Sequence, residues 1–370
     1  MTASPLPTNT TAGSGPQPPT PAERAPGLGA RILRAVLTQR EMLLVALIVI
    51  VLAYMSYESY AGYLTADYDV DYIAGAMIDL VPLAMLALAE LVVIVSGRGG
   101  IDLSVGSIAS LSGMVFGFAY GEWNWPLGLA IALAAVVGAA LGAVNGLLVA
   151  YLGFPALIAT LATYYAYSSI AIVIHDQKPI STTEIQQMYS LTRSVEIPGL
   201  GSVLPSIPLG VFTFLLPTVV VVWLALNRTT YGRRLYAIGT NDTAATWSGV
   251  HVARTRLTAY VVAGLVSGLV AVYITAQFAS ARPDAGTSGN GLALPAITIA
   301  VLGGVAITGG IGRVSGVVLA ALLITWLDAG ILLMFEGNEG TQAQLLALGA
   351  VLIFAALLNA YTTRRYGGTR

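Results

Sequence analysis

Between two long apolar runs, this chain has a stretch of glycine and polar residues where hydrocarbon would be expected. Residues 96–107 are Ser-Gly-Arg-Gly-Gly-Ile-Asp-Leu-Ser-Val-Gly-Ser. Lipid cannot satisfy the hydrogen-bonding groups of an irregular backbone, so such a break must be buried in protein, face a watery cavity or lie at the membrane interface. Each of these placements points to a function for the break.

The composition is that of an integral membrane protein. Hydrophobic residues make up 56% of the 370 residues and charged residues 9%, whereas ordinary soluble domains have roughly 25% charged residues. The net charge is -1. No nucleic-acid partner is expected, because neutralising phosphates requires clustered Lys and Arg.

Several kinds of chemistry are excluded by what the sequence lacks. There is no cysteine, and the two histidines, His175 and His251, are too far apart to suggest a metal cluster. Lys178 is the only lysine, and no phosphate-binding loop surrounds it. We therefore expect no cofactor and no enzymatic activity, and any ATP that drives this protein must be hydrolysed by another subunit.

Ten segments are apolar enough to be predicted as membrane spans, since a span needs about 20 mostly apolar residues to cross ~30 Å of hydrocarbon. The predicted spans are 42–57, 73–95, 101–120, 125–151, 155–174, 208–226, 257–279, 292–308, 314–335 and 345–361. The expected fold is all-α, with about ten transmembrane helices.

The basic residues set the orientation, because short cytoplasmic loops retain positive charge. With both termini in the cytoplasm, only Lys178, Arg193 and Arg282 of the 17 basic residues face the outer side. An odd number of spans would destroy this partition. The sequence therefore predicts a multi-pass protein of the plasma membrane.

Two short tails flank the predicted membrane domain. Residues 1–30 are rich in Pro, Ser, Thr and Gly, a composition typical of disorder. The first apolar segment follows three arginines and has no cleavage site, which indicates an uncleaved anchor. We expect a disordered cytoplasmic tail over 1–30, a membrane domain over 31–365 and a C-terminal tail over 366–370.

Four acidic residues lie in or at the edges of the predicted spans, namely Asp79, Glu90, Asp102 and Asp328. A charge near the bilayer centre costs roughly 2.5–3.5 kcal/mol, so such residues usually face the protein interior or a watery path. Asp102 has two interpretations, since it could cap the helix that follows the break or face a pore. Together with Ser104 and Asn145, Glu90 and Asp102 are the candidates for a polar path or gate.

Glycines predict where helices pack closely. Gly138, Gly142 and Gly146 share one face of a predicted span. Small residues at this spacing allow two backbones to approach, so tight helix packing is the expected role of this face.

The longest cytoplasmic loop, residues 227–256, contains a candidate docking helix. Residues 239–249 predict a short helix with Asn241 or Asp242 as its N-cap and Gly249 just after its end. A capped helix between two spans suits the docking of a cytoplasmic partner. The alternative is a linker on the membrane surface, with Arg233 and Arg234 on anionic lipid.

Several motifs, in order over residues 40–360, resemble those of the permease subunits of bacterial ABC importers for ribose, xylose, arabinose and related sugars. The matching motifs are Gly-Gly-Ile-Asp-Leu-Ser-Val-Gly-Ser at 99–107, Val-Asn-Gly-Leu-Leu-Val-Ala at 144–150, Pro-Ala-Leu-Ile-Ala-Thr-Leu-Ala-Thr at 155–163, Tyr-Ala-Ile-Gly-Thr-Asn-Asp-Thr-Ala-Ala at 236–245 and Gly-Gly-Ile-Gly-Arg-Val-Ser-Gly at 309–316.

The resemblance implies a permease dimer around a translocation path, two cytoplasmic ATPase domains that use the ATP, and an extracytoplasmic sugar-binding protein. By the same resemblance, residues 239–250 would form the helix that inserts into an ATPase groove. The expected coupling residues are Gly239, Asn241, Asp242, Ala244, Ala245 and Gly249.

Three departures from the family pattern bear on the solute and on the dimer. Residues 293–298 lack the two acids common in the family, Asp328 and Ala329 replace a frequent pair of asparagines, and Arg98-Gly99 resembles a two-residue addition. These differences leave room for a heterodimer in which a homologous permease contributes what is missing here.

The sequence therefore predicts the permease subunit of an ATP-driven importer for a monosaccharide or a similar small polar solute. A nucleoside or signalling-sugar importer is the alternative within this class. A proton-driven secondary carrier, with Glu90 or Asp328 as its relay, is an alternative from another class. An intramembrane enzyme is disfavoured, because no convincing catalytic constellation is present.

Overall fold

A computed structural model describes residues 39–195, 205–288, 291–335 and 337–366. Within them the protein is almost entirely helical, and its only sheet is an antiparallel pair of two-residue strands, β1 (Ser194–Val195) and β2 (Ile207–Pro208). The predicted N-terminal tail and most of the predicted C-terminal tail lie outside the described residues.

The helices follow the chain in the order of the predicted spans. The first half contains α1 (Arg40–Tyr60), α2 (Val70–Gly75), α3 (Met77–Val95), α4 (Val105–Phe116), α5 (Leu127–Ala150), α6 (Ala156–Val173) and α7 (Thr183–Gln187). The second half contains α8 (Leu216–Arg228), α9 (Thr230–Thr240), α10 (Asp242–Trp247), α11 (Val252–Gln277), α12 (Ala293–Leu302), α13 (Val314–Met334) and α14 (Asn338–Tyr366).

Short non-α helical turns extend three of these elements. A π-helix, Gly117–Glu122, continues α4, a 3-10 turn, Met188–Leu191, follows α7, and a second π-helix, Val211–Leu215, leads into α8.

The predicted all-α membrane fold is confirmed, although the count of spans among the described residues is not exactly ten. Each of the ten predicted segments contains a helix, but seven of the described helices are long and apolar enough to cross a membrane. The segment around α4 is rich in Ser and Gly and lies in the core, and α12 has only 10 residues, about 15 Å of helix against ~30 Å of hydrocarbon. α14 covers the tenth predicted segment.

The core is built around the helices on either side of the polar break. In the most apolar 18-residue stretch of each helix, 83% of the residues are buried in Val70–Val95 and 67% in α11, but only 11% in α1. All but one residue of α4 is buried as well. Since lipid would accept an apolar helix on the outside, this burial means that α3, α4 and α11 face other protein elements and hold the break inside the molecule.

Close packing of α5 against α11 confirms the role predicted for the glycine face. A Cβ atom on Gly142 would overlap the carbonyl oxygen of Tyr260 and lie 3.0 Å from the Cα of Gly264. A Cβ on Gly138 would overlap the carbonyl oxygen of Gly264. The two backbones touch, which only small residues permit.

Contacts between distant loops agree with the predicted sidedness. At the cytoplasmic side, Arg98 pairs with Asp242 and Arg313 pairs with Glu41. At the outer side, Ile180 and Ala281 form a β-bridge. Loops assigned to the same side of the membrane by their charge are thus in contact with each other.

Replacing Gly142 with Leu should destabilise the protein, because the added side chain separates α5 from α11. We expect the free energy of unfolding to fall by about 1–3 kcal/mol, the usual cost of overpacking. Thermal unfolding of the purified protein in detergent measures this. Gly128→Leu is the matched control, because Gly128 is at the exposed start of α5 with nothing within 4 Å of its Cβ position. An equal loss of stability in both variants would contradict the packing account.

Candidate functional site

In the structure the last three residues of the predicted break, 105–107, belong to α4, so the polar break is Ser96 to Ser104, between α3 and α4. Its backbone turns through three consecutive residues with positive φ, Gly97 at 81°, Arg98 at 57° and Gly99 at 63°. This left-handed conformation favours glycine. Arg98 and Gly99 are exposed, and most of the remaining break is buried. Of the three placements open to such a break, the structure shows burial in protein.

A buried set of hydrogen-bonded side chains surrounds the break, and we call Glu90, Asp102, Ser104, Asn145 and Thr163 the polar cluster. The Asp102 Oδ1 accepts from the Ser104 backbone N–H at 2.9 Å and from the Ser104 hydroxyl at 2.6 Å. Asn145 Nδ2 lies 3.3 Å from each Asp102 carboxylate oxygen and 2.7 Å from Ser104 Oγ. The Thr163 hydroxyl donates to Asn145 Oδ1 at 2.7 Å.

The structure brings all four predicted path or gate residues together. Glu90 joins through its Oε2, which accepts from the Asp102 backbone N–H at 3.3 Å. Glu90, Asp102, Ser104 and Asn145 are all 0% exposed. The cluster connects α3, the break, α5 and α6, and it is closed to solvent in this conformation.

Asp102 makes a local contact within the turn before α4 and a tertiary contact at the same time. Its bond to the Ser104 N–H satisfies a donor just before α4 begins at Val105. Its bond to Asn145 ties this turn to α5. The capping interpretation is not confirmed, because Ser104 is the N-cap of α4 and no side chain bonds to the free N–H groups of the first turn of this helix.

Two polar groups near the cluster have no hydrogen-bond partner among the described residues. They are Glu90 Oε1 and the Tyr260 hydroxyl, and both side chains are fully buried. A buried polar group that makes no hydrogen bond costs free energy. This part of the core therefore contains two polar atoms whose hydrogen-bonding capacity is unused among the described residues.

Asp79 and Asp328 are not part of the polar cluster. Asp79 Oδ1 accepts from Gln277 Nε2 at 2.8 Å, at the outer ends of α3 and α11. Asp328 is partly exposed on α13. The four acids predicted within the spans therefore fall into two separate groups.

The second region of interest is the cytoplasmic helix α10, which confirms the predicted docking helix as a structural element. Asn241 is its N-cap, since its Oδ1 accepts from the Ala244 N–H at 3.0 Å. Gly249 follows the helix with φ at 79°. Ala245 packs inward while Trp247 is 87% exposed. A short helix with an exposed aromatic side chain suits a protein partner.

The preceding helix α9 anchors this region to the core. Leu235 and Ile238 are buried, while Arg233 and Arg234 are exposed. Gly239 packs so closely that a Cβ atom there would overlap the Val95 carbonyl oxygen at the end of α3. Contact of the two arginines with anionic lipid stays a prediction for α9, and docking of a partner stays a prediction for α10.

One residue that the sequence did not single out joins the two regions. Arg256, near the start of α11, is 1% exposed. Its Nη2 donates to Asp242 Oδ1 at 2.7 Å and to the Ser96 carbonyl oxygen at 2.9 Å. Arg98 Nε lies 3.3 Å from Asp242 Oδ2. The signal in the sequence was an arginine at the start of an apolar run, 14 residues after an aspartate.

Comparison with known families agrees with this arrangement. A family model described as the permease component of branched-chain amino acid transport systems matches residues 72–356. The chain belongs to this permease family.

Curated relatives cover most of both chains. The autoinducer 2 import system permease protein LsrD of Photorhabdus temperata is 32% identical over 302 residues, which is 80% of this chain and 86% of the relative. The LsrD proteins of Yersinia enterocolitica and Salmonella typhimurium are 32% identical over 298 and 300 residues, with the same coverage. No solved structure matches the chain.

The resemblance seen in the motifs is confirmed. The chain is a multi-pass permease subunit of an ABC importer in the bacterial inner membrane, and it is a transport component and not itself an enzyme. Membership implies ATPase and solute-binding partners in general. A proton-driven carrier is not supported.

Asn145→Leu should weaken the fold, because Leu has a similar volume but leaves the Asp102 carboxylate without its tertiary donor. We expect a loss of about 1–3 kcal/mol in the free energy of unfolding, the cost of leaving a buried polar group unsatisfied. Thermal unfolding in detergent is the measurement. Asn227→Leu is the control, since Asn227 is exposed and its Nδ2 bonds only the Trp223 carbonyl oxygen. A neutral effect at Asn145 would show that the cluster does not stabilise the break.

Proposed function

We propose that this chain forms part of the wall of a solute path, is moved by a cytoplasmic ATPase that docks on α10, and uses the polar cluster as a gate. The observation that carries the proposal is the continuous contact from α10 to the break. Asp242, the first residue of α10, is bonded to Arg256, and Arg256 is bonded to the first residue of the break, Ser96.

The geometry of α10 supports docking. The helix is capped by Asn241, closed by Gly249 and held to the core through Ala245, so its position relative to α11 is fixed before a partner binds. Preorganised surfaces lose less conformational entropy on binding. Gly239, Asn241, Asp242, Ala244, Ala245 and Gly249 have the proposed coupling roles because they build this shape.

The burial of the polar cluster favours a gate over an open path. Glu90, Asp102, Ser104 and Asn145 have no solvent contact, so a solute cannot reach them in this conformation. A closed set of hydrogen bonds between α3, α5 and α6 can hold these helices together and release them when α3 moves.

The complete transporter would contain a second permease, two ATPase domains and an extracytoplasmic solute-binding protein. The second permease is either another copy of this chain or a homologous chain. A homologous partner would supply the two acidic residues that are common in the family but missing from residues 293–298 of this chain.

Two classes of solute fit the proposal. The sequence motifs favour a monosaccharide. The relatives named for autoinducer 2 import favour that signalling molecule as the second candidate. Both candidate solutes should be tested in the same assay, because both are suggested by likeness to the same permease family.

Reconstitution of the chain with its ATPase and solute-binding protein in lipid vesicles tests the function. We expect ATP hydrolysis that rises when the binding protein and either a monosaccharide or autoinducer 2 are added, together with uptake of the same solute. Uptake by the purified chain alone, driven by a proton gradient, would contradict the proposal.

The variant Trp247→Ala tests the docking surface, since it removes an exposed aromatic side chain without disturbing the core. Because large aromatic residues dominate binding energy at interfaces, we expect ATPase affinity to fall about tenfold or more. Co-purification and titration of the ATPase measure this. Trp123→Ala is the control, because Trp123 is 56% exposed on the outer side. Unchanged ATPase affinity in Trp247→Ala would exclude α10 as the docking site.

A further inference from the structure

The buried guanidinium of Arg256 lies where the docking helix, the polar break and α11 meet. Its Nη2 serves two acceptors at once, the Asp242 carboxylate at 2.7 Å and the Ser96 carbonyl oxygen at 2.9 Å. Its Nε has no partner among the described residues. The hydrogen bonds of the Arg256 side chain are therefore made by one nitrogen, Nη2, and they reach two elements at the cytoplasmic side, α10 and the break.

Charge makes this connection hard to break. Arg256 is 1% exposed, and Asp242 is 29% exposed and supplies the opposite charge. Removing one partner of a buried ion pair leaves an uncompensated charge in the interior, which is strongly unfavourable. When Asp242 moves, Arg256 is expected to move with it, and the Ser96 carbonyl bonded to the same nitrogen follows.

Close backbone packing also holds together the region where the end of α9 meets the break. A Cβ atom on Gly97 would lie 2.9 Å from the Gly239 Cα, and one on Gly309 would overlap the Gly97 Cα. The Gly310 N–H also donates to the Val95 carbonyl oxygen at 3.0 Å. Three loops are in direct backbone contact, so the end of α9 cannot shift without displacing the start of the break.

The break then carries the displacement into the membrane domain. Only five residues separate Ser96 from Asp102, whose N–H donates to Glu90 and whose carboxylate accepts from Asn145. A movement at Ser96 therefore acts on the hydrogen bonds of the polar cluster through a short piece of chain.

We propose that Arg256 is a positioning residue that transmits movement of the docked ATPase from Asp242 to the break and so to the polar cluster. This inference rests on the proposed docking role of α10. Arg256 itself contacts neither solute nor ATPase, and its effect is on the coupling between hydrolysis and transport.

Arg98 makes a second and weaker ion pair with Asp242. Its Nε lies 3.3 Å from the other carboxylate oxygen of Asp242, but its side chain is 62% exposed. Exposed ion pairs contribute little because water and salt screen them. Arg98→Gln should therefore reduce coupling less than Arg256→Gln.

The test uses the complete transporter in lipid vesicles and compares Arg256→Gln with Arg254→Gln. Arg254 is an exposed arginine in the same turn of α11 and serves as the control. In Arg256→Gln we expect bound ATPase and basal hydrolysis close to wild type, while solute stimulation and uptake fall about tenfold, within the usual range of coupling between sites. The control should keep all four properties.

A double variant keeps the test decisive if Arg256→Gln fails to fold. Asp242→Asn with Arg256→Gln removes both charges together, so no unpaired charge stays in the interior. We expect this pair to fold and to show the same loss of stimulation. Wild-type stimulation and uptake in either folded variant would overturn the proposal.

Failure of this inference and failure of the docking proposal give different results. If Arg256→Gln loses the bound ATPase together with basal hydrolysis, Arg256 acts on docking itself and the positioning role is wrong. If Trp247→Ala keeps full ATPase affinity, the docking role of α10 is wrong, whatever Arg256 does.

Discussion

The burial of a polar, irregular backbone inside a membrane protein is the constraint on which the rest of this structure depends. Every buried donor and acceptor of the break needs a partner from protein, because lipid offers none. Asp102, Ser104 and Asn145 supply those partners for the buried half. Arg256 supplies one for the Ser96 carbonyl at the cytoplasmic end. The groups that stabilise the break are thus the same groups that connect it to its surroundings.

Close backbone contacts at glycines connect these hydrogen-bonded regions to one another. The α5 and α11 backbones touch at Gly142 and Gly264, and the cytoplasmic loops touch at Gly97 and Gly239. Close-packed interiors transmit displacement because they leave no space in which it can be absorbed. These contacts join α10 to the polar cluster through closely packed backbone.

Much of this arrangement could be predicted from local sequence. The apolar runs located the helices, and the capping residues located α10, because both signals depend on neighbouring residues. The full span count and the role of Arg256 could not be predicted. The apolar run over 292–308 does not show that its helix ends at Leu302, and the partners of Arg256 lie 14 and 160 residues away. Contacts between distant residues leave no periodic trace in one sequence.

The proposed opening of the polar cluster during ATP hydrolysis can be measured through the accessibility of Ser104. The chain has no native cysteine, so Ser104→Cys gives a unique target for a membrane-impermeant thiol reagent, with buried Ser267→Cys and exposed Ser248→Cys as controls. We expect the thiol introduced by Ser104→Cys to be protected from the reagent at rest and to be labelled during ATP hydrolysis with solute present. Protection in both states, while uptake continues in the same vesicles, would contradict the proposed opening.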